Sequence, residues 1–223
     1  MIQVTNLHKS FGSLKVLDNI SFSIDEGEIV SIVGESGCGK TTLLKCICGL
    51  LDFDCGKVVS PECFGYVPQN LGLLQWRTVK ENIKFPLELL RRKEDIRDII
   101  NLMKLNGFEN FYIKQLSVGM SQRVAISRAL VMRPKVLFLD EPFKSLDEIT
   151  RNRLTEELRE LWRELKTTVL FITHSIRESV HLSDKVVVLS PRPATIRNII
   201  KIQRNLSYME LYKIEINIKN ILN

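Results

Sequence analysis

Gly34-Glu35-Ser36-Gly37-Cys38-Gly39-Lys40-Thr41 is the stretch on which the fold turns. It satisfies the pattern GxxxxGK[ST] and stands between the apolar run Ile29 to Val33 and the apolar pair Leu43-Leu44 of a helical pattern. A strand running through a glycine-rich loop into a helix is the setting in which this pattern cradles phosphates. The glycines let successive backbone N–H groups turn inward, and the helix N-terminus adds its positive dipole end. Lys40 can reach the outer phosphates and Thr41 offers a hydroxyl to a divalent cation. Gly34, Gly37 and Gly39 shape the loop, while Glu35, Ser36, Cys38 and Thr42 complete the expected cradle.

Upstream, β-branched stretches at Ile2 to Leu7, Val16 to Ile24 and Glu28 to Val33 alternate with the turns Phe11-Gly12-Ser13 and Asp25-Glu26-Gly27, which reads as strand-rich. Downstream, a helix over Thr41 to Ile47 stops at Gly49, and short strands are expected at Lys57 to Val59 and Phe64 to Val67. Thr78 to Leu105 turns helical, with Ile96, Ile99, Ile100 and Met103 on one face and Pro86 expected to break or kink what precedes it. Gln122 to Met132 is a further helix, ended before Pro134. Val136 to Leu139, Thr168 to Ile172 and Lys185 to Leu189 read as buried strands, with Leu154, Leu158, Leu161 and Leu165 as the core stripe of the helix between the first two. Alternating strands and helices predict an α/β fold with a parallel sheet. Ser190-Pro-Arg-Pro193 reads as a hinge, and the tail beyond it alternates at Ile214, Ile216 and Ile218.

The 223 residues, 44% hydrophobic and 26% charged, exclude a disordered tail, a collagen-like repeat or a small disulfide scaffold. A net charge of +6 fits a phosphate-bearing partner or an anionic membrane face without requiring either. No apolar run approaches the ~18 to 20 residues that cross a bilayer, and Met1-Ile2-Gln3-Val4 lacks both a basic and an apolar leader region, so the chain is expected in the cytosol. The cysteines, Cys38, Cys46, Cys48, Cys55 and Cys63, show no CxxC pair and read as reduced thiols. Cys38, next to a helix N-terminus and a lysine, is expected to be the reactive one.

Asp140-Glu141 closes the apolar run Val136 to Leu139, at the strand end where ligands of open α/β sheets gather. Two adjacent carboxylates there suit two tasks: Asp140 holding a divalent cation, and Glu141 polarising an attacking water.

With these residues the chain resembles the ATP-binding subunits of ABC transporters. Leu116-Ser117-Val118-Gly119-Met120-Ser121-Gln122-Arg123 resembles the signature motif, Gln69 the Q-loop, Ser145-Leu146-Asp147 the D-loop and His174 the switch histidine. The resemblance runs from Ile2 to about Pro193. It implies a P-loop NTPase core at about 1–75 and 133–193, with an N-terminal antiparallel β subdomain, an inserted α-helical subdomain at about 76–132 and a tail at 194–223, all one domain. It implies ATP and Mg²⁺ as cofactors, with Thr41, Gln69 and Asp140 toward the metal and Glu141, His174 and Gln69 in catalysis. It further implies a head-to-tail homodimer in which Ser117, Gly119 and Asp147 of one subunit close on the nucleotide held by the other. Phe11 stands where the family stacks an aromatic on adenine; as an isolated Phe it can equally be a core or turn residue.

Val118 departs from the family's glycine. A positive φ there would penalise a β-branched residue and closure would suffer, whereas a helical backbone would cost only a few tenths of a kcal/mol. Leu73 to Val79, Glu141 to Asp147 and Ser190 to Pro193 resemble the nitrate/sulfonate/taurine-type importers, although Gln75 stands where that branch usually has proline. That resemblance implies separate integral membrane permease subunits, an extracytoplasmic solute-binding protein acting indirectly, no nucleic acid, and a peripheral place on the cytoplasmic face of the membrane. Leu74 and Trp76 fit either a permease-docking surface or subdomain core. A DNA-repair ATPase would need a long coiled-coil insertion that Lys40 to Ser117 cannot hold, and a translation-associated ATPase normally carries two cassettes. A regulatory partner with an impaired signature is disfavoured by the presence of both Glu141 and His174.

Overall fold

Burial on both faces marks the central strands of the larger of two sheets. The computed structural model describes residues 1–203 and 206–222. The chain opens with β1 (Ile2–Phe11) and β2 (Leu14–Ile24), then β3 (Ile29–Val33), α1 (Lys40–Ile47), β4 (Cys55–Val59) and β5 (Phe64–Val67). Helices α2 (Val79–Leu89), α3 (Arg97–Leu102) and α4 (Val118–Leu130) follow, ahead of β6 (Val136–Asp140). The remainder is α5 (Glu148–Leu165), β7 (Thr168–Thr173), α6 (Ile176–Leu182), β8 (Lys185–Leu189), β9 (Ile196–Lys201) and α7 (Tyr208–Leu222).

Strands β2, β1 and β4 pair antiparallel in that order. The second sheet runs β5-β6-β7-β3-β8-β9 and is parallel except at β9. Every residue of β3, β6, β7 and β8 is buried, which is why these strands read as unbroken apolar runs rather than alternating ones. Because β3, β6 and β7 are parallel neighbours, their carboxyl ends share one edge of the sheet. The glycine loop, Asp140-Glu141 and His174 all leave the sheet at that edge.

Helices α2, α3 and α4 lie between β5 and β6 in the chain. Ile96, Ile100 and Met103 are buried there as the periodicity requires, with Ile99 packed beside them. A reciprocal capping box between Thr78 and Glu81 starts α2. The helix runs through Pro86 to Leu89 instead of ending before it; Ile83 and Leu87 are buried on either side and hold both turns against the core.

Helix α4 starts at Val118, four residues before the periodic pattern begins at Gln122. Its cap is Ser117, whose Oγ accepts from Met120 N at 3.2 Å. Val118 is therefore the first helical residue and has no positive φ, so its β-branch costs only a few tenths of a kcal/mol. In α5 the inward stripe is Leu154, Leu158, Leu161 and Trp162, while Leu165, expected in the stripe, is exposed where Lys166 turns left-handed and ends the helix. The tail is strand then helix. Of its alternating isoleucines, Ile214 and Ile218 join Leu211, Ile221 and Leu222 in a helical set that covers Val180, Val186 and Val188, while Ile216 is exposed.

Candidate functional site

The glycine loop is shaped by what lies beneath it. Gly37 and Gly39 have φ of 77° and 121°, a region side chains avoid. A Cβ at Gly39 would also stand 2.9 Å from Val16 Cγ1 on the antiparallel sheet. Lys40 is only 5% exposed, and its ammonium donates to Gly34 O and Glu35 O, both at 2.8 Å. A buried cation that arches over its own loop is a preformed countercharge for phosphate. Glu35, Ser36 and Gly37 line the exposed rim, and Thr41 and Thr42 are half-buried behind it.

Cys38 corrects the reactivity expectation. Its thiol is buried, and burial pushes its pKa up despite the attraction of Lys40. Its Sγ sits 2.9 Å from where a Cβ on Gly34 would be, so it packs the floor of the loop.

At the adjoining strand end, Thr41 Oγ1 donates to Asp140 Oδ1 at 3.1 Å. Asp140 is 3% exposed, and burial raises its pKa although the Thr41 hydrogen bond opposes this. Glu141 follows with a left-handed φ of 47°, its N–H donating to Ile172 O at 3.0 Å. Gln69 Nε2 donates to Glu141 Oε2 at 3.1 Å, and His174 Nδ1 faces Oε1 at 3.7 Å. Burial pushes Glu141 up, but Lys144, His174 and Lys40 outweigh it and hold the carboxyl below its ordinary range. Behind exposed His174, Thr173 Oγ1 donates to buried Glu178 and accepts from Ser175 N at 3.0 Å, which fixes the turn that presents the ring.

The remaining expected residues lie apart from this cluster or at its margin. Phe11 is exposed at the tip of the β1–β2 hairpin, with Lys9 Nζ 5.2 Å from its ring centroid, which removes the core alternative. Ser117 caps α4, and a Cβ on Gly119 would lie 3.1 Å from Thr150 Cγ2 at the start of α5. Asp147 caps α5 through Thr150 N at 3.0 Å. Ser117 and Asp147 thus stand side by side as exposed helix starts.

Two contacts were not foreseen. Lys144 Nζ lies 2.7 Å from Glu141 Oε2, for which the sequence carried only the signal of a lysine three places after a glutamate. Arg192 Nη2 lies 3.4 Å from the Cβ position of Gly37, and no local pattern marks that approach.

The loop after Gln69 is braced from both sides. Arg128 on α4 donates to Leu71 O at 2.7 Å and Gly72 O at 2.8 Å. Buried Asn82 bonds Leu74 N and the carbonyls of Leu74, Arg77 and Thr78. Trp76 is thereby left 73% exposed, a surface residue and not subdomain core, while Leu74 is half-buried.

A parallel sheet carrying a glycine loop, a buried lysine and a strand-end Asp-Glu pair defines a P-loop nucleotide-hydrolysing domain. The sequence profile described as "ABC transporter" matches residues 17–144. The aliphatic sulfonates import ATP-binding protein of Bacillus thuringiensis subsp. konkukian is 42% identical over 90% of this chain and 83% of its own length. The taurine import ATP-binding protein of Escherichia coli O157:H7 is 40% identical over 88% of this chain and 82% of its own. A solved dimeric bacterial ABC transporter cassette superposes with a TM-score of 0.78 at 27% identity, covering 91% of this chain and 99% of that one. The chain belongs to the ABC transporter family, as an ATP-binding subunit with ATPase activity. Among the described residues no helix is long and apolar enough to cross a membrane.

Proposed function

We propose that this chain energises import of a small solute, a sulfonate or a related small organic molecule, through separate membrane permease subunits. It works as a head-to-tail dimer of identical copies, peripheral to the cytoplasmic face of the membrane, with a solute-binding protein outside it. The observation that carries the ATPase half of this reading is the meeting of Lys40, Thr41, Asp140, Gln69, Glu141 and His174 at one sheet edge. The import half rests on the relatives, which are import proteins for aliphatic sulfonates and taurine.

Lys40 would exchange the two loop carbonyls for phosphate oxygens, a stronger partner for an ammonium. The donor set suits Mg²⁺. A buried carboxylate bonded to a threonine hydroxyl presents hard oxygen ligands, and among the described residues no cluster of three metal-ligating side chains competes for it. That is the sparse protein contribution Mg²⁺ takes beside phosphates. Thr41, Asp140 and Gln69 would hold the ion, which when bound neutralises charge on the phosphate oxygens.

In hydrolysis the water oxygen bonds the γ-phosphorus, the bond from that phosphorus to the β–γ bridging oxygen breaks, and ADP leaves with the electron pair. Glu141 takes the proton of the water, while Gln69 orients its carboxylate and His174, 3.7 Å from that carboxylate, would close on it or on the γ-phosphate. Ser117 and Gly119 of the second copy would bring a capped helix N-terminus to the outer phosphate. Exposed Trp76 beside Leu74 supplies an apolar contact for a permease segment.

The test is to tag the chain in its native cell, solubilise membranes gently and identify what co-purifies. Integral membrane subunits are expected. Recovery with ribosomes or nucleic acid would reject the import reading and leave the ATPase reading standing.

A further inference from the structure

Glu141 is gripped from a side that its role as base does not require. Lys144 Nζ lies 2.7 Å from Glu141 Oε2, the oxygen that also accepts from Gln69 Nε2 at 3.1 Å. Two donors use both lone pairs of that oxygen. His174 Nδ1, at 3.7 Å from Oε1, is beyond hydrogen-bond reach. The grip is built into the backbone. Lys144 N donates to Glu141 O at 3.3 Å, closing a tight turn. Pro142 and Phe143 inside that turn are buried, so the lysine stem is carried back over the carboxylate.

We infer that Lys144 is a restraining residue: its ammonium occupies Glu141 Oε2, withholds that oxygen from the attacking water, and slows hydrolysis. The inference rests on the reading of Glu141 as the base. The direction follows from occupancy, and the size from exposure. With Lys144 and Gln69 both donating to Oε2, that oxygen has no lone pair left to accept from a water until the lysine swings away. The Lys144 side chain is 48% exposed, so the restraint is modest and its release is cheap.

Steady-state ATPase kinetics of the full chain test it. Lys144→Ala raises kcat roughly two- to fivefold, the scale of a partly exposed ion pair, and leaves the ATP KM within about 1.5-fold. Lys144→Arg keeps the ion pair and the wild-type kcat. Adding Lys144→Ala to Glu141→Gln changes nothing, because the carboxylate it restrains is gone. An unchanged or lower kcat for Lys144→Ala, with Glu141→Gln inactive, overturns the restraint alone. An effect confined to KM also overturns it, because it puts Lys144 on the nucleotide. Wild-type turnover by Glu141→Gln overturns the Glu141 reading, and the restraint falls with it.

Discussion

The phosphate loop and the start of α4 are both helix N-termini prepared for an anion, yet one is finished and the other is half a site. At the loop Lys40 and Asp140 are buried and already partnered, Lys40 on two carbonyls and Asp140 on Thr41. At α4, Ser117 is exposed and Val118 is 51% exposed, with Asp147 and the 83%-exposed Ile149 beside them at the start of α5. Burying a lysine demands partners within the same chain. An exposed cap beside exposed apolar residues has none to satisfy, and it makes sense as a surface that a second copy covers. On the proposed reading, this subunit binds nucleotide alone and completes its chemistry only in company.

Four substitutions sharpen that contrast. Glu141→Gln keeps the cradle and removes the proton acceptor, so turnover falls about 10²- to 10⁴-fold while ATP affinity stays within roughly twofold. Phosphate release and nucleotide titration on the same sample check both. Lys40→Ala breaks the finished half, and ATP affinity falls on the order of 100-fold; equal affinity by calorimetry would show that the cradle does not depend on its buried charge.

Glu157 tests the joint between α4 and α5. Arg123, Lys104 and Arg153 surround it. Burial pushes its pKa up, but the Lys104 and Arg123 hydrogen bonds outweigh this and hold it below the ordinary range. A depressed folded-state pKa stabilises above the unfolded value and loses that contribution as pH falls through the folded one. Glu157→Gln therefore costs about 1 kcal/mol at neutral pH, with the gap closing below roughly pH 4; urea denaturation at both pH values reads it. Val118→Gly is the smallest change. Thermal denaturation should shift by only a few tenths of a kcal/mol and monomer ATP affinity should not move, because Val118 is exposed and already helical.

What was legible in the sequence was what neighbours along the chain decide. The loop Gly34 to Thr41 is announced by its own glycines and the helix behind it, and the buried strands declare themselves by being apolar throughout. Ser117 as a cap follows from its chemistry. What stayed hidden depends on distant partners. Cys38 looked activated by Lys40 and a helix start, but tertiary burial reverses the effect. The tail alternates like a strand until the face offered by Val180 and Val186 selects its helical set. The left-handed φ of Glu141 and the Arg192 approach to Gly37 arise from packing across the sheet edge.

On the proposed reading, the open start of α4 closes over the nucleotide cradle of a second copy. Sedimentation velocity of the Glu141→Gln chain, with and without MgATP, tests it most directly. We expect a monomer without nucleotide, a dimer with MgATP, and a monomer in both conditions once Ser117→Arg is added. A Glu141→Gln chain that binds MgATP and stays monomeric at every concentration, or a dimer indifferent to Ser117→Arg, would contradict it.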